Sequence, residues 1–199
     1  MHPDYYSHEY ASNSDLKRWL HLNNPEAREE PENLEEIFDL GTLIHAILLE
    51  PHKADVNHKD YKLAVQMAET FMKDPLCRQF MMISDFKREW EFYSENTYGI
   101  KGRCKMDGKS AMLKTILEYK GLGVTSQQQF MDAIYRFDYD QGAAWYLDVS
   151  KYERCLIVAV SKKNPRQIFK LLVDRNHPVY TSGQRKVQMA VELWKELIE

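Results

Sequence analysis

The sequence has few cysteines, and their spacing matches no common metal or redox motif. Cys77, Cys104 and Cys155 are the three cysteines among 199 residues, and none belongs to a C-x-x-C pair. A zinc ribbon and a four-cysteine iron–sulfur site are therefore not supported. We interpret the cysteines as isolated reduced thiols that are partly buried in a core.

Long hydrophobic runs and a basic charge balance are also lacking. No apolar run approaches the roughly 18 residues that a transmembrane helix requires, and the first ten residues, MHPDYYSHEY, do not resemble a signal peptide. We therefore expect a cytoplasmic protein with no membrane partner. The net charge of −3 argues against a protein that coats nucleic acid broadly. It remains compatible with an enzyme whose metal ions supply local positive charge.

Internal repeats, low-complexity tracts and linkers are absent too. The composition, 44% hydrophobic and 29% charged, is typical of a globular chain and not of a disordered one. A chain of this length can bury a sizeable core. Because no feature marks a domain boundary, we predict a single domain over residues 1–199.

Hydrophobic periodicity predicts an order of helices, three strands, two helices, two strands and a final helix. The predicted helices cover 15–22, 34–50, 60–73, 76–83, 127–137, 140–149 and 178–199, and the predicted strands cover 87–94, 100–107, 111–120, 156–161 and 167–173. Ser14 and the pair Thr125-Ser126 are candidate N-caps, and residues 27–36 are interpreted as a solvated loop. This order favours a mixed α+β fold, in which a central mixed β-sheet is flanked by helices.

The stretch from Ile100 to Gly121 has the pattern of two strands joined by a tight turn. The first strand is predicted to end at Asp107, and the Asp-Gly step places the turn at residues 108–109. Because side chains alternate along a strand, Glu118 and Lys120 share one face of the second strand. The twist of the sheet can bring Asp107 beside that face.

Two carboxylates and a lysine that converge in this way suit metal-assisted hydrolysis of a phosphodiester. Asp107 and Glu118 offer the oxygen ligands that Mg²⁺ and Mn²⁺ prefer. Lys120 could orient an attacking water or offset charge on a phosphoryl oxygen. The alternative is an ordinary hairpin that carries Glu and Lys on its surface, because these residue types are common.

Two other positions have open interpretations. His45 lies inside the predicted apolar helix 34–50, where a single histidine is either a core residue or a metal ligand. Glu89 and Glu91 share one face of the predicted strand 87–94. They are either a solvent-facing pair, or one of them borders the metal site.

Several short motifs occur in a characteristic order. They are LGTLIH (40–45) followed by LLEP (48–51), GRCKMD (102–107), EYK (118–120), YRFDYDQ (135–141) and GQR (183–185). Together they resemble the PD-(D/E)-x-K nuclease superfamily, specifically its RecE-type exonuclease branch, over residues 6–197. Met106 stands where that branch usually has proline, and Lys105 where it has arginine. The resemblance implies a restriction-endonuclease-like PD-(D/E)-x-K core.

The resemblance also implies roles for individual residues. The implied metal ligands are His45, Asp107, Glu118 and the main-chain carbonyl of Tyr119, and the implied catalytic residues are Asp107, Glu118, Lys120 and Gln141. Gln141 would reach the site from a neighbouring helix. Four basic residues around the hairpin are either contacts to DNA phosphates or a solvated strand face, namely Lys101, Arg103, Lys105 and Lys109.

The function implied by the resemblance is that of a deoxyribonuclease dependent on Mg²⁺ or Mn²⁺, acting as a 5′ to 3′ exonuclease on double-stranded DNA in recombination. A single-strand annealing or recombinase protein is an implied partner, and a homo-oligomer is an implied assembly. One alternative is an endonuclease or flap nuclease on the same core. Others are a non-catalytic DNA- or protein-binding module that kept the fold, and a helical scaffold whose motif matches arose by chance.

Overall fold

The computed structural model describes residues 9–22 and 34–198. Most of the loop predicted at 27–36 lies outside these residues. The elements are α1 (Asn13–Leu22), α2 (Leu34–Leu49), α3 (Tyr61–Lys73), α4 (Pro75–Met82), β1 (Lys87–Thr97), β2 (Ile100–Ser110), β3 (Thr115–Leu122), α5 (Gln127–Arg136), α6 (Tyr139–Ser150), β4 (Arg154–Ser161), β5 (Ile168–Asp174) and α7 (Pro178–Ile198). None of the helices within the described ranges is both long and apolar enough to cross a bilayer.

The five strands form one mixed sheet in the order β1-β2-β3-β4-β5. Three of the four neighbouring pairs are antiparallel, and β3 and β4 are parallel. A parallel pair needs a crossover connection, and α5 and α6 supply it here. The predicted fold class, a mixed sheet flanked by helices, is therefore confirmed.

Each face of the sheet is covered by its own hydrophobic cluster. On one face α1, α5, α6 and α7 pack around side chains that include Phe130, Trp145 and Val187. On the other face α2, α3 and α4 contribute Ile44 and Phe71 among others. Because both faces are covered, β3 and β4 are almost entirely buried, and polar groups on them lie deep in the protein.

The predicted hairpin turn is wrong, since β2 continues through Asp107 and Gly108 to Ser110. A Cβ atom at residue 108 would lie 2.5 Å from the ring of Phe86, so glycine is needed there for close packing and not for a turn. The chain turns at residues 111–114 instead. The carboxylate of Asp85 accepts hydrogen bonds there from the Ser110 hydroxyl and the Met112 backbone amide.

The start of α1 also differs from the prediction. Ser12, and not Ser14, caps the helix: its hydroxyl oxygen accepts a hydrogen bond from the Asp15 backbone amide, while the Asp15 carboxylate accepts one from the Ser12 amide. This reciprocal arrangement satisfies donors that a helix N-terminus leaves free. The predicted cap at Ser126 is confirmed by the Gln129 amide, which donates to its hydroxyl.

Helices α6 and α7 approach each other closely at Gly183. A Cβ atom there would lie 1.9 Å from the backbone oxygen of Asp140. We expect Gly183→Ala to reduce the free energy of unfolding by roughly 3 kcal/mol, because the two backbones must separate. Urea denaturation measures the loss. Gly123→Ala is the matched control, since its Cβ would meet Lys163 at an ordinary 3.8 Å, and equal stability of the two variants would contradict the expectation.

Candidate active site

The site forms where β2 and β3 separate. These strands pair over residues 108–110 and 115–117 only. Beyond that point, the backbone amide of Tyr119 donates a hydrogen bond to a carboxylate oxygen of Asp107. The Asp107 carboxylate therefore accepts a hydrogen bond that a backbone carbonyl of β2 would accept if the ladder continued. It lies in the fork, which is the gap where β2 and β3 separate.

His45 and Glu89 flank Asp107 on the α2 side of the fork. The Nδ1 atom of His45 lies 3.4 Å from Asp107 Oδ1 and 3.8 Å from Glu89 Oε1. Ligand atoms from the three residues all lie within 4.8 Å of one another. One imidazole nitrogen and two carboxylates are a donor set that fits a divalent cation such as Mg²⁺ or Mn²⁺.

Electrostatics support the same grouping. Burial alone would lower the pKa of His45, but the carboxylates of Asp107 and Glu89 raise it above its ordinary value. Burial would raise the pKa of Glu89, but His45 and Lys105 hold it below its ordinary value. A bound cation would also compensate the two carboxylates.

Strand geometry explains why Glu89 reaches the site. The β1–β2 ladder pairs the residues on either side of Glu89 with those on either side of Asp107, so the two carboxylates lie opposite one another. Glu89 adopts a left-handed backbone conformation, with φ of 47°. Of the two interpretations open for Glu89, the structure supports the one that places it at the border of the site.

Glu118 and Lys120 lie side by side on the opposite face of β3 from Tyr119, as their alternation predicts. Lys120 Nζ is 2.9 Å from Glu118 Oε2, and Glu118 is only 5% exposed. The other carboxylate oxygen, Oε1, is buried and has no hydrogen-bond partner in the described part of the chain. An acceptor left in this state fits a missing cation or donor.

The charges of this pair depend on each other and on Asp107. Burial raises the pKa of Glu118 to about 7, although Lys120 opposes that shift. Burial disfavours the charged lysine, but Glu118 and Asp107 outweigh it and keep the pKa of Lys120 above its ordinary value. Lys120 therefore stays charged throughout the physiological range.

The pKa of Glu118 gives cation binding a definite pH dependence. With this pKa, the ionised fraction of Glu118 grows between pH 6 and pH 8, and only the ionised form is a good ligand. We expect Mn²⁺ affinity to rise roughly tenfold over this interval, with release of a proton on binding. Calorimetry in buffers of different ionisation enthalpy measures both quantities. Glu118→Gln should make the profile shallower and leave the part due to His45, whose pKa is also raised, and an unchanged profile in that variant would contradict the assignment to Glu118.

A small cavity of ≈ 90 Å³ opens beside Glu118 and Lys120. Lys17, from α1, lines it, with its Nζ donating to the Phe137 carbonyl oxygen at 2.7 Å and lying 5.6 Å from the centre of the Tyr139 ring. Burial lowers the pKa of Lys17 to about 8. Sequence reasoning missed this residue, because nothing in its local pattern distinguishes it from a solvated helix lysine.

Gln141 is buried on α6, and neither polar atom of its side-chain amide has a hydrogen-bond partner within the described residues. Trp145, one helical turn further along α6, is fully buried and donates from its indole to the Arg103 carbonyl oxygen. Trp145 therefore fixes α6 against β2. The predicted catalytic role of Gln141 stays a prediction.

The four predicted phosphate contacts all have partners inside the protein. These partners are Glu9 for Lys101 (2.5 Å), Asp15 for Arg103 (3.4 Å), Glu89 for Lys105 (2.9 Å) and the Trp90 ring for Lys109 (4.1 Å to its centre). Arg103 is 6% exposed and offers DNA little surface. Their role at phosphates stays a prediction, whereas Lys17 lines the same cavity as Glu118 and Lys120.

Comparison with known proteins finds a solved structure with a similar fold. No model of a protein family matches the sequence, and no curated protein sequence does. The structure is similar to the crystal structure of a predicted exonuclease from Eubacterium rectale, with a TM-score of 0.71 and 15% identity. That alignment covers 100% of this chain and 89% of the other. The chain has the fold of this exonuclease.

Weaker similarities involve two other exonucleases. A phage-related exonuclease from Haemophilus somnus 129PT aligns with a TM-score of 0.48 and 14% identity, over 96% of each chain. An alkaline exonuclease from Laribacter hongkongensis aligns with a TM-score of 0.44 and 12% identity, over 94% of this chain and 89% of the other. The resemblance expected from the motifs is confirmed for the fold by the Eubacterium rectale structure, and the reaction has to be argued from the site.

Proposed function

We propose that the protein is a divalent-cation-dependent deoxyribonuclease that hydrolyses phosphodiester bonds of double-stranded DNA, as a 5′ to 3′ exonuclease of the recombination type. The observation that carries this proposal is the fork. There, Asp107 accepts from the Tyr119 amide and lies 3.4 Å from His45 Nδ1, and the residues on either side of Tyr119 are the paired Glu118 and Lys120. Buried charges are expensive unless they serve a ligand or a reaction.

Each residue has a proposed role. His45, Asp107, Glu118 and the carbonyl of Tyr119 would hold Mg²⁺ or Mn²⁺, which would supply Lewis acidity at the scissile phosphate. Lys120, permanently charged and fixed by Glu118, orients the attacking water and stabilises the developing negative charge. Gln141 supports the site from α6.

Substrate recognition relies on charge and not on base sequence. Lys17 and Lys120 both face the cavity beside Glu118 and can offset the charge of phosphates there. Phosphate contacts carry no sequence information directly, so we propose cleavage without sequence preference. A cytoplasmic recombination role would also call for a single-strand annealing or recombinase partner and is compatible with a homo-oligomer.

The lowered pKa of Lys17 predicts how DNA binding changes with pH. Above pH 8 the folded protein loses the Lys17 charge, so affinity for a short duplex should fall several-fold between pH 7 and pH 9. Lys17→Arg should flatten this decline because arginine stays charged. Fluorescence anisotropy in EDTA measures the affinity for the duplex at each pH. Lys114→Arg, at an exposed site, is the control. Parallel declines in the wild type and Lys17→Arg would exclude Lys17 as the titrating group.

The decisive experiment compares a linear duplex with a covalently closed circle, each with Mg²⁺, Mn²⁺ or EDTA. We expect cation-dependent loss of the linear DNA alone, and a label at each end then gives the polarity. Cutting of the circle would replace the exonuclease with an endonuclease on the same site. If neither DNA changes with either cation, the proposed function is wrong.

A further inference from the structure

Glu89 belongs to none of the motifs that resemble nucleases, yet it faces the cation site. It comes from β1, and its two carboxylate oxygens have different neighbours. Oε1 lies 3.8 Å from His45 Nδ1, and Oε2 lies 2.9 Å from Lys105 Nζ. One oxygen is therefore directed to the site, and the other is held by a lysine beside it.

The distances within the group are too long for hydrogen bonds. His45 Nδ1 is 3.4 Å from Asp107 and 3.8 Å from Glu89, whereas an N–H···O bond is shorter than about 3.2 Å. Ligands that share a cation at about 2.1 Å lie roughly 3 to 4 Å apart in octahedral geometry. The three side chains are thus spaced as ligands of a common ion would be.

A purely structural role accounts less well for Glu89. A surface ion pair with Lys105 would need neither the position opposite Asp107 nor the approach to His45. Glu91, two residues further along β1, shows the contrast, because it is exposed and accepts a hydrogen bond from the Tyr93 hydroxyl at 3.1 Å. It takes no part in the group around His45.

We propose that Glu89 is a direct ligand of the catalytic cation, and that Lys105 neutralises its carboxylate until the cation binds. The proposal rests on the proposed function, since it adds a ligand to that same site. It makes Lys105 a competitor of the cation and not an aid to it. Removing the glutamate carboxylate and removing the lysine charge must therefore change cation affinity in opposite directions.

The test is Mn²⁺ binding to the full-length protein by calorimetry, with Mn²⁺ electron paramagnetic resonance as an independent measure of free ion. Glu89→Gln should weaken binding at least roughly tenfold. Lys105→Met should tighten it roughly twofold to fivefold, as expected for losing one partly exposed competing charge. Glu91→Gln is the matched control and should bind as the wild type does. Thermal melting of each variant shows that it is folded.

The outcomes separate this inference from the proposed function. If Glu89→Gln binds Mn²⁺ as tightly as Glu91→Gln while Asp107→Asn does not bind it, Glu89 is not a ligand and the function stands. If Lys105→Met weakens binding, the competitor role is overturned. If the wild type itself binds no Mn²⁺ and cleaves no DNA, the proposed function fails and the inference fails with it.

Discussion

Replacing Lys120 with methionine is expected to reduce DNA cleavage by roughly 10²–10³-fold, as for loss of a group that stabilises transition-state charge. Methionine retains much of the length and apolar volume of the side chain, and it removes the charge that lies 2.9 Å from Glu118. Without that charge, the buried Glu118 is left unpaired and its pKa rises further. Single-turnover cleavage of an end-labelled duplex with Mg²⁺ measures the loss.

Two further measurements separate a chemical defect from misfolding. Circular dichroism should show a folded Lys120→Met protein, and Mn²⁺ should still bind through His45 and Asp107. Lys114→Met, which removes an exposed lysine paired with Glu153 near the opposite end of β3, is the control and should cleave normally. Cleavage by Lys120→Met within a few-fold of wild type would remove Lys120 from the mechanism.

Asp107→Asn is expected to abolish both cleavage and cation binding. Asp107 is the carboxylate that both halves of the site share, because it lies near His45 and acts electrostatically on Glu118 and Lys120. Asparagine keeps a side-chain oxygen that can accept the Tyr119 amide hydrogen bond, so the fork between β2 and β3 should persist. We expect cleavage to fall by more than roughly 10³-fold, since both a ligand and a charge are lost.

Calorimetry with Mn²⁺ and the duplex cleavage assay check this prediction together. Glu153→Gln is the matched control, since it removes an exposed carboxylate that pairs with Lys114. A variant at Asp107 that loses cleavage but binds Mn²⁺ normally would show that the cation is held elsewhere. A variant that unfolds would be replaced by Asp107→Glu, which keeps the charge but displaces it by one methylene.

The fold was predictable because its helices and strands have strong local sequence patterns. The turn at 111–114 could not be predicted in this way. Asp107 and Gly108 form a common turn dipeptide, but the ring of Phe86 over Gly108 keeps them in the strand. The real turn is fixed by Asp85, which is distant in sequence and accepts from Ser110. A tertiary contact of this kind overrides a local preference and leaves no local pattern.

The candidate site was predictable to the extent that its residues belong to short ordered motifs. Glu118 and Lys120 pair across one strand face because of simple alternation. Glu89 reaches the site through a left-handed backbone position in β1, which residue type alone does not indicate. Lys17 enters from α1 through packing against Tyr139, a contact between segments far apart in the chain.

Because the Tyr119 amide donates a hydrogen bond to Asp107, the chemical shift of this amide proton depends on whether a cation is bound at the site. The amide protons that pair β3 with β4 face carbonyl oxygens, but this proton faces a carboxylate. An ion that draws electron density from Asp107 weakens the bond and moves the proton resonance upfield. Filling of the site by diamagnetic Mg²⁺ is therefore visible in a single peak of a nitrogen–proton NMR spectrum, without DNA and without turnover.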